Sequence, residues 1–246
     1  MPQKIVTFVN AAGKQVHCVE HLSHAPTTVI MAHGFLSSNI GPRRMFVRLS
    51  EKLASHGVGS VRFDQPGSGN SAGSFVDSSF EEWLAVLMQL ISLHAERGRK
   101  VSIMGQSMGA ACALIAGSRL SKSVNRIVAW VPDPNLDPIT AGQADVVEEE
   151  GQLINLGFWR EARASDVIGH VRQLTVPTLI LQADEDQYVD KANREALHAA
   201  AAKATSCVSL AGCNHSSWSY EVSERVIAGT ASFLTGGEWQ PAFDAA

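Results

Sequence analysis

Basic charge is not in surplus in this chain: 20 Lys and Arg stand against 24 Asp and Glu, a net −4. That excludes the broad positive footprint on which nucleic-acid binding rests. Cysteine is scarce as well. Cys18, Cys112, Cys207 and Cys213 show no paired spacing and no histidine partners, which excludes a zinc ribbon and a disulfide framework. Free thiols in a reducing cytoplasm are the expectation. The start, MPQKIVTFVN, lacks the apolar centre of a signal peptide. The longest uncharged run, 101–118, could reach across a bilayer by length alone. It nevertheless carries Gln106, three serines and three glycines, so it reads as a buried strand turning into a buried helix. No repeat and no low-complexity tract is present. The longest like-charge block, Glu148-Glu149-Glu150, reads as a solvated face.

What is present is an ordinary globular composition, 45% hydrophobic and 18% charged, enough to bury the core of one domain spanning 1–246. Two strand signals, KIVTFVN and QVHCVEH, flank Asn10-Ala11-Ala12-Gly13, a hairpin turn. Later strand-like runs lie at 28–32, 58–63, 100–104, 126–131, 178–183 and 205–210, and several are apolar nearly throughout, as when both strand faces are covered. Helical patterns alternate with them. The run SFEEWLAVLMQLISLHAERG has Ser78-Ser79 as candidate caps, acidic residues early and Gly98 at its end. The alternation predicts an α/β sheet with helices on both faces. From Pro132 to about Leu174 it stops. PDPNLDP excludes regular structure, and the rest is helical in flavour and free of convincing strands. This stretch is expected to be an insertion that caps the domain. The tail after Thr235 is expected to be loosely held.

Gly105-Gln106-Ser107-Met108-Gly109 lies at the junction of the strand KVSIM and the small-residue helix that follows. A serine presented at such a corner needs a strained backbone and neighbours without side chains, which the two glycines supply. The corner also lies at the carboxyl end of a strand, where open α/β sheets bind ligands, with a helix N-terminus aimed at it. A serine hydroxyl needs a base to become a nucleophile. Of nine histidines, His215 in LAGCNHSSW follows the last strand signal on a loop at the same sheet end. His33 follows an earlier strand. The base in turn needs a carboxylate to fix its tautomer, and TLILQADEDQYVD offers Asp184, Glu185, Asp186 and Asp190.

Together with His33-Gly34-Phe35 and the loop DQPGSGNS at 64–71, these motifs resemble, in order and over nearly the whole chain, the α/β-hydrolase family, in particular its serine esterases and lipase-like and peptidase-like members. The resemblance implies that family's fold: a mostly parallel sheet with an N-terminal antiparallel hairpin, helices on both faces and a short cap at about 132–174. It implies Ser107 as nucleophile, His215 as base and Asp186 as the acid, on the spacing Ala183, Asp186, Val189. Asp184 and, after an earlier strand, Asp133 are the alternatives. It implies an oxyanion hole from the main-chain N–H groups of Phe35 and Met108, with His33 shaping the loop. The glycines of 64–71 are not a phosphate cradle, since no Gly-Lys-Ser/Thr follows.

The implied chemistry is acyl transfer from a carboxylic ester, short acyl or aryl, with no metal and no organic cofactor. Phe35, Leu153, Ile154, Leu156, Phe158 and Trp159 are the candidate pocket. A thioesterase, monoacylglycerol lipase, carbon–carbon bond hydrolase or aminopeptidase would use the same triad, with the glutamates at 148–150 holding a substrate ammonium in the last case. A non-catalytic binding module on this fold is the alternative from a different class. The sequence leaves open whether the chain pairs as a homodimer.

Overall fold

The N-terminal hairpin forms where the sequence places it. Strand β1 (Gln3–Val9) pairs antiparallel with β2 (Gln15–His21), and Gly13, at φ +78°, turns the chain between them. The structure is a computed structural model that describes residues 3–22, 24–136, 145–149 and 151–239. The remaining sheet strands are β3 (Thr27–Ala32), β4 (Gly59–Phe63), β5 (Lys100–Gln106), β6 (Val124–Trp130), β9 (Thr178–Ala183) and β10 (Thr205–Leu210). With the hairpin they build an eight-stranded sheet in the order β1-β2-β4-β3-β5-β6-β9-β10, parallel from β4 onward.

Strand β3 shows why these segments read as unbroken apolar runs. Successive side chains leave opposite faces, so Ile30 and Ala32 join one core while Val29 and Met31 join the other, all fully buried. On the first face the core is completed by α2 (Phe80–Glu96), α3 (Met108–Arg119), α5 (Val167–Arg172) and α6 (Lys191–Ala200). On the second it is completed by α1 (Met45–Ser55) and α7 (Tyr220–Leu234), which pack on each other. Helix α2 begins as its sequence implies: Ser79 Oγ accepts the Glu82 N–H at 3.0 Å, with Glu81 and Glu82 in the positive first turn. Among the described residues no helix is long and apolar enough to cross a membrane. The four cysteines are free thiols, and burial, aided by Glu20 and Asp64, pushes Cys18 up to about 12.

The interval 132–174 departs from expectation. It contains a second sheet, the antiparallel pair β7 (Val146–Glu149) and β8 (Gln152–Asn155), turned at Gly151 with φ +77°, before α4 (Leu156–Ala164) and α5. Val147 and Ile154, cross-strand partners, point inward onto the first core, which is what makes these eight residues strands. Residues 137–144 and Glu150 lie outside the described residues. The tail is also held further than expected, since Trp239 packs on the second core and its ring lies where a Cβ on Gly229 would be. The tail beyond it, 240–246, lies outside the described residues.

Candidate active site

Ser107 occupies the β5–α3 corner with φ +52° and ψ −122°. A non-glycine residue held there costs about 1–3 kcal/mol and persists only when its surroundings over-determine it. They do. The Ser107 N–H donates to Trp130 O at 2.8 Å, and its carbonyl accepts from Ala110 and Ala111. The glycines are needed for approach rather than for unusual φ. A Cβ on Gly105 would stand 2.1 Å from Gly109 O, and one on Gly109 would stand 2.3 Å from both Ala32 O and His33 O. All of those atoms are backbone, so neither clash can be relieved by a side-chain rotation. Gly109→Ala is therefore expected to break the β3–α3 contact and yield insoluble or unfolded protein. Circular dichroism and a melting curve check it, and a native-like melting temperature would contradict this packing.

His215 arrives on the loop between β10 and α7. Its Nε2 lies 2.9 Å from Ser107 Oγ and its Nδ1 lies 2.7 Å from Asp186 Oδ2. Asp186 is on the loop after β9, with its side chain only 1% exposed. Its other oxygen, Oδ1, accepts the main-chain N–H groups of Tyr188 and Val189, both at 2.9 Å. Burial alone would raise this carboxyl, but the His215 hydrogen bond and charge and the two N–H donors together hold it below its ordinary value. The three side chains named by the sequence thus form one hydrogen-bonded chain. The other acids stand elsewhere. Asp184 Oδ1 accepts the Cys213 N–H at 3.3 Å, Asp190 caps α6 through the Asn193 N–H, and Asp133 Oδ1 accepts the Asn135 N–H at 2.7 Å.

His33 is fully buried. Because the Gln65 N–H can only donate, His33 Nε2 must accept it (2.9 Å), which leaves Nδ1–H to donate to Gly34 O at 2.7 Å. Burial lowers its pKa and keeps the ring neutral, so it acts as a brace between the Gly34 loop and the loop at 64–71. Asp64 does the same one step further on: Oδ1 accepts the Asn39 N–H at 2.7 Å and Oδ2 accepts the Asn70 N–H at 3.0 Å.

A cleft of about 260 Å³ opens over Ser107 and His215. Phe35 and Met108, the two residues expected to supply oxyanion donors, both line it. Met108 is the first residue of α3, so its N–H is one of the four at that end with no acceptor within the helix. Of the candidate pocket residues, Phe35 and Trp159 form walls, with their ring centroids 4.7 Å apart. Phe158 and Leu156 are buried behind them. Phe158 packs 5.2 Å from Phe35 and 5.1 Å from Trp83, so it supports the wall from within. Ile154 is buried in the core, and Leu153, 55% exposed, faces outward because it shares a hairpin face with Glu148. Several lining residues were not among the candidate pocket residues of the sequence reading. Tyr188 meets the His215 ring edge-on at 5.2 Å, Pro42 and Ser216 also line the cleft, and so does Glu149 from β7, which the sequence offered only as part of an ammonium-binding run. Period-2 alternation from half-buried Val147 would have put Glu149 on the same face, had the hairpin been read as strands.

Comparison with known proteins agrees with this geometry. The family profile described as serine aminopeptidase, S33 (Hydrolase_4) matches residues 5–145, more than half of the chain. The chain belongs to this family. As a Hydrolase_4 protein it is a hydrolase of the α/β-hydrolase fold, and the solved structures it resembles share that fold. Est1E from Butyrivibrio proteoclasticus, solved with ferulic acid bound, superimposes with a TM-score of 0.81 at 20% identity, over 94% of this chain and 98% of that one. A putative hydrolase from Agrobacterium vitis S4 gives 0.81 at 19% identity, over 95% and 100%. The esterase domain of a Rhodothermus marinus protein gives 0.72 at 23% identity, over 95% and 98%. No curated protein sequence matches the chain significantly.

Proposed function

We propose that this Hydrolase_4 protein hydrolyses carboxylic esters, short acyl or aryl, through an acyl-enzyme on Ser107. The observation that carries the reading is the unbroken chain from Asp186 through His215 to a strained serine at the floor of the cleft. In the first half-reaction His215 Nε2 takes the Ser107 hydroxyl proton as Oγ bonds to the ester carbonyl carbon. Asp186 stabilises the imidazolium and fixes its tautomer. The carbonyl oxygen, now an alkoxide, is held by the Phe35 and Met108 N–H groups, each donor of this kind being worth roughly 10²–10³ in rate. Collapse expels the alcohol with the proton from His215. Water then repeats the sequence to release the acid.

The walls support a compact or planar acyl group. Phe35, Trp159 and Tyr188 are aromatic, and the cleft volume suits a small ester rather than a long chain. The bound ferulate of Est1E is an aryl acid of that size class, which favours an aryl ester here as well. A second reading has one observation behind it: Asp133 and Glu149 both line the cleft, and a carboxylate pair there would favour a substrate amine, as an aminopeptidase would use. A panel separates them. Aryl esters of acetate to decanoate, methyl ferulate and aminoacyl-anilides are compared by kcat/KM. Short and aromatic acyl groups are expected to lead. Turnover of aminoacyl-anilides above every ester would replace the first reading with the second.

A further inference from the structure

Two loops must meet correctly for His215 to reach Ser107: the one carrying Phe35, after β3, and the one carrying His215, after β10. The Phe35 loop ends in Gly41-Pro42-Arg43-Arg44, where the backbone is left-handed at Gly41 (φ +69°), Arg43 (φ +48°) and Arg44 (φ +62°). Gly41 is required, since a Cβ would stand 2.8 Å from the ring of core residue Phe46. No such crowding makes the two arginines adopt this conformation, which glycine would take with less strain. The segment is nevertheless firmly seated, with Phe46 N–H donating to Ile40 O and Arg44 N–H donating to Gly41 O.

From that seat Arg43 reaches across 173 residues of sequence. Its Nη1 donates to Ser216 O at 2.8 Å and its Nη2 donates to Ser217 Oγ at 3.2 Å. These are the two residues immediately after His215, and Ser216 and Pro42 both line the cleft. Apart from the Nε2–Ser107 Oγ bond itself, the other hydrogen bonds around His215 run within its own loop or to the acid loop. His215 N–H donates to Gln187 Oε1, Cys213 N–H donates to Asp184 Oδ1, and Asn214 Oδ1 accepts from Ser216 and Ser217. They fix the imidazole against Asp186, while Trp218, packed edge-on against Trp130, seats the far end of the loop on the second core.

We propose that Arg43 is a positioning residue that clamps the His215 loop to the Phe35 loop and so sets the approach of Nε2 to Ser107 Oγ. The proposal rests on the reading of Ser107 and His215 given above. A planar guanidinium suits the task, since two parallel donors fix orientation as well as distance. It also explains the strained backbone: the left-handed turn aims the long, exposed side chain toward the serines after His215.

Arg43→Gly separates this role from mere structure, because it keeps the backbone conformation while removing the clamp. Its melting temperature is expected to match or exceed that of the wild type. Its kcat is expected to fall roughly 10- to 100-fold, the scale of a misplaced catalytic group, with KM within about threefold and the loss falling on the transition state. Arg43→Lys, with one donor in place of two, is expected to recover part of kcat. A readout that needs no turnover accompanies these: the His215 Hε1 proton NMR line, which reports the position of the ring, is expected to shift and broaden in Arg43→Gly. Wild-type kcat and an unchanged line in that variant overturn the proposal, as does a KM rise at constant kcat, or a fall in stability that parallels the fall in kcat. Absence of fluorophosphonate labelling in the wild type would instead fault the reading of Ser107, and the NMR comparison would still decide the clamp.

Discussion

Ser107→Ala is expected to abolish labelling by a fluorophosphonate probe and to lower ester turnover by roughly 10⁶-fold, the scale seen when a comparable triad loses its nucleophile. The fold should survive. Alanine keeps the Cβ that already tolerates φ +52°, and the variant loses one hydrogen bond, to His215 Nε2, worth about 1 kcal/mol net. A melting temperature within a few degrees of wild type, with no labelling and no burst of product, is the expected set. Persistent labelling of the alanine variant would place the nucleophile elsewhere and undo the functional reading.

The second large effect belongs to the acid. Asp186→Asn is expected to lower kcat by about 10⁴, as in a comparable triad where the amide left the imidazole in the wrong tautomer. The reason is visible in the donors. Oδ1 is committed to the Tyr188 and Val189 N–H groups, so the amide must place its NH₂ at the Oδ2 position, facing His215 Nδ1. That ring nitrogen then accepts, the proton moves to Nε2, and Nε2 can no longer take a proton from Ser107. Asp184→Asn and Asp133→Asn are expected to cost far less, and a larger loss in either would reassign the acid. Stability follows pH in a defined direction. Because the His215 bond and the two N–H donors hold the folded Asp186 carboxyl below its ordinary value, its stabilisation is complete at neutral pH and is lost as pH falls below the ordinary value through the folded one. The stability gap between wild type and Asp186→Asn should therefore narrow as pH is lowered into and below the ordinary carboxylate range, about 4, in denaturant titrations.

The large features of this molecule are legible in the sequence because each rests on local chemistry. Strand β3 declares itself by apolar residues on both faces, and the nucleophile corner by glycines whose replacement would collide with backbone. Asp186 was separable from Asp184 only through the family resemblance and its spacing to Val189, the residue whose N–H it accepts. The cap hairpin was not legible. Strands β7 and β8 are four residues each, too short for alternation to show, and the glutamates at 148 and 149 are good helix formers. Only the packing of Val147 and Ile154 on the first core makes them strands, and that decides which way Leu153 and Glu149 face. Tyr188 against His215, and Arg43 on the serines after it, are contacts between distant loops, set by sheet order and invisible to any local window.

That sheet order has a consequence during synthesis. His215 is 108 residues downstream of Ser107, and its loop is placed only when β10 adds to the sheet edge beside β9. At typical rates of about 5–20 residues per second, a ribosome needs roughly 5–20 s to make that stretch. Throughout this time the serine corner can form on the nascent chain with no base beside it. On the proposed roles of Ser107 and His215, a chain stalled before that point is expected to carry a serine with no base beside it and to escape labelling by a fluorophosphonate.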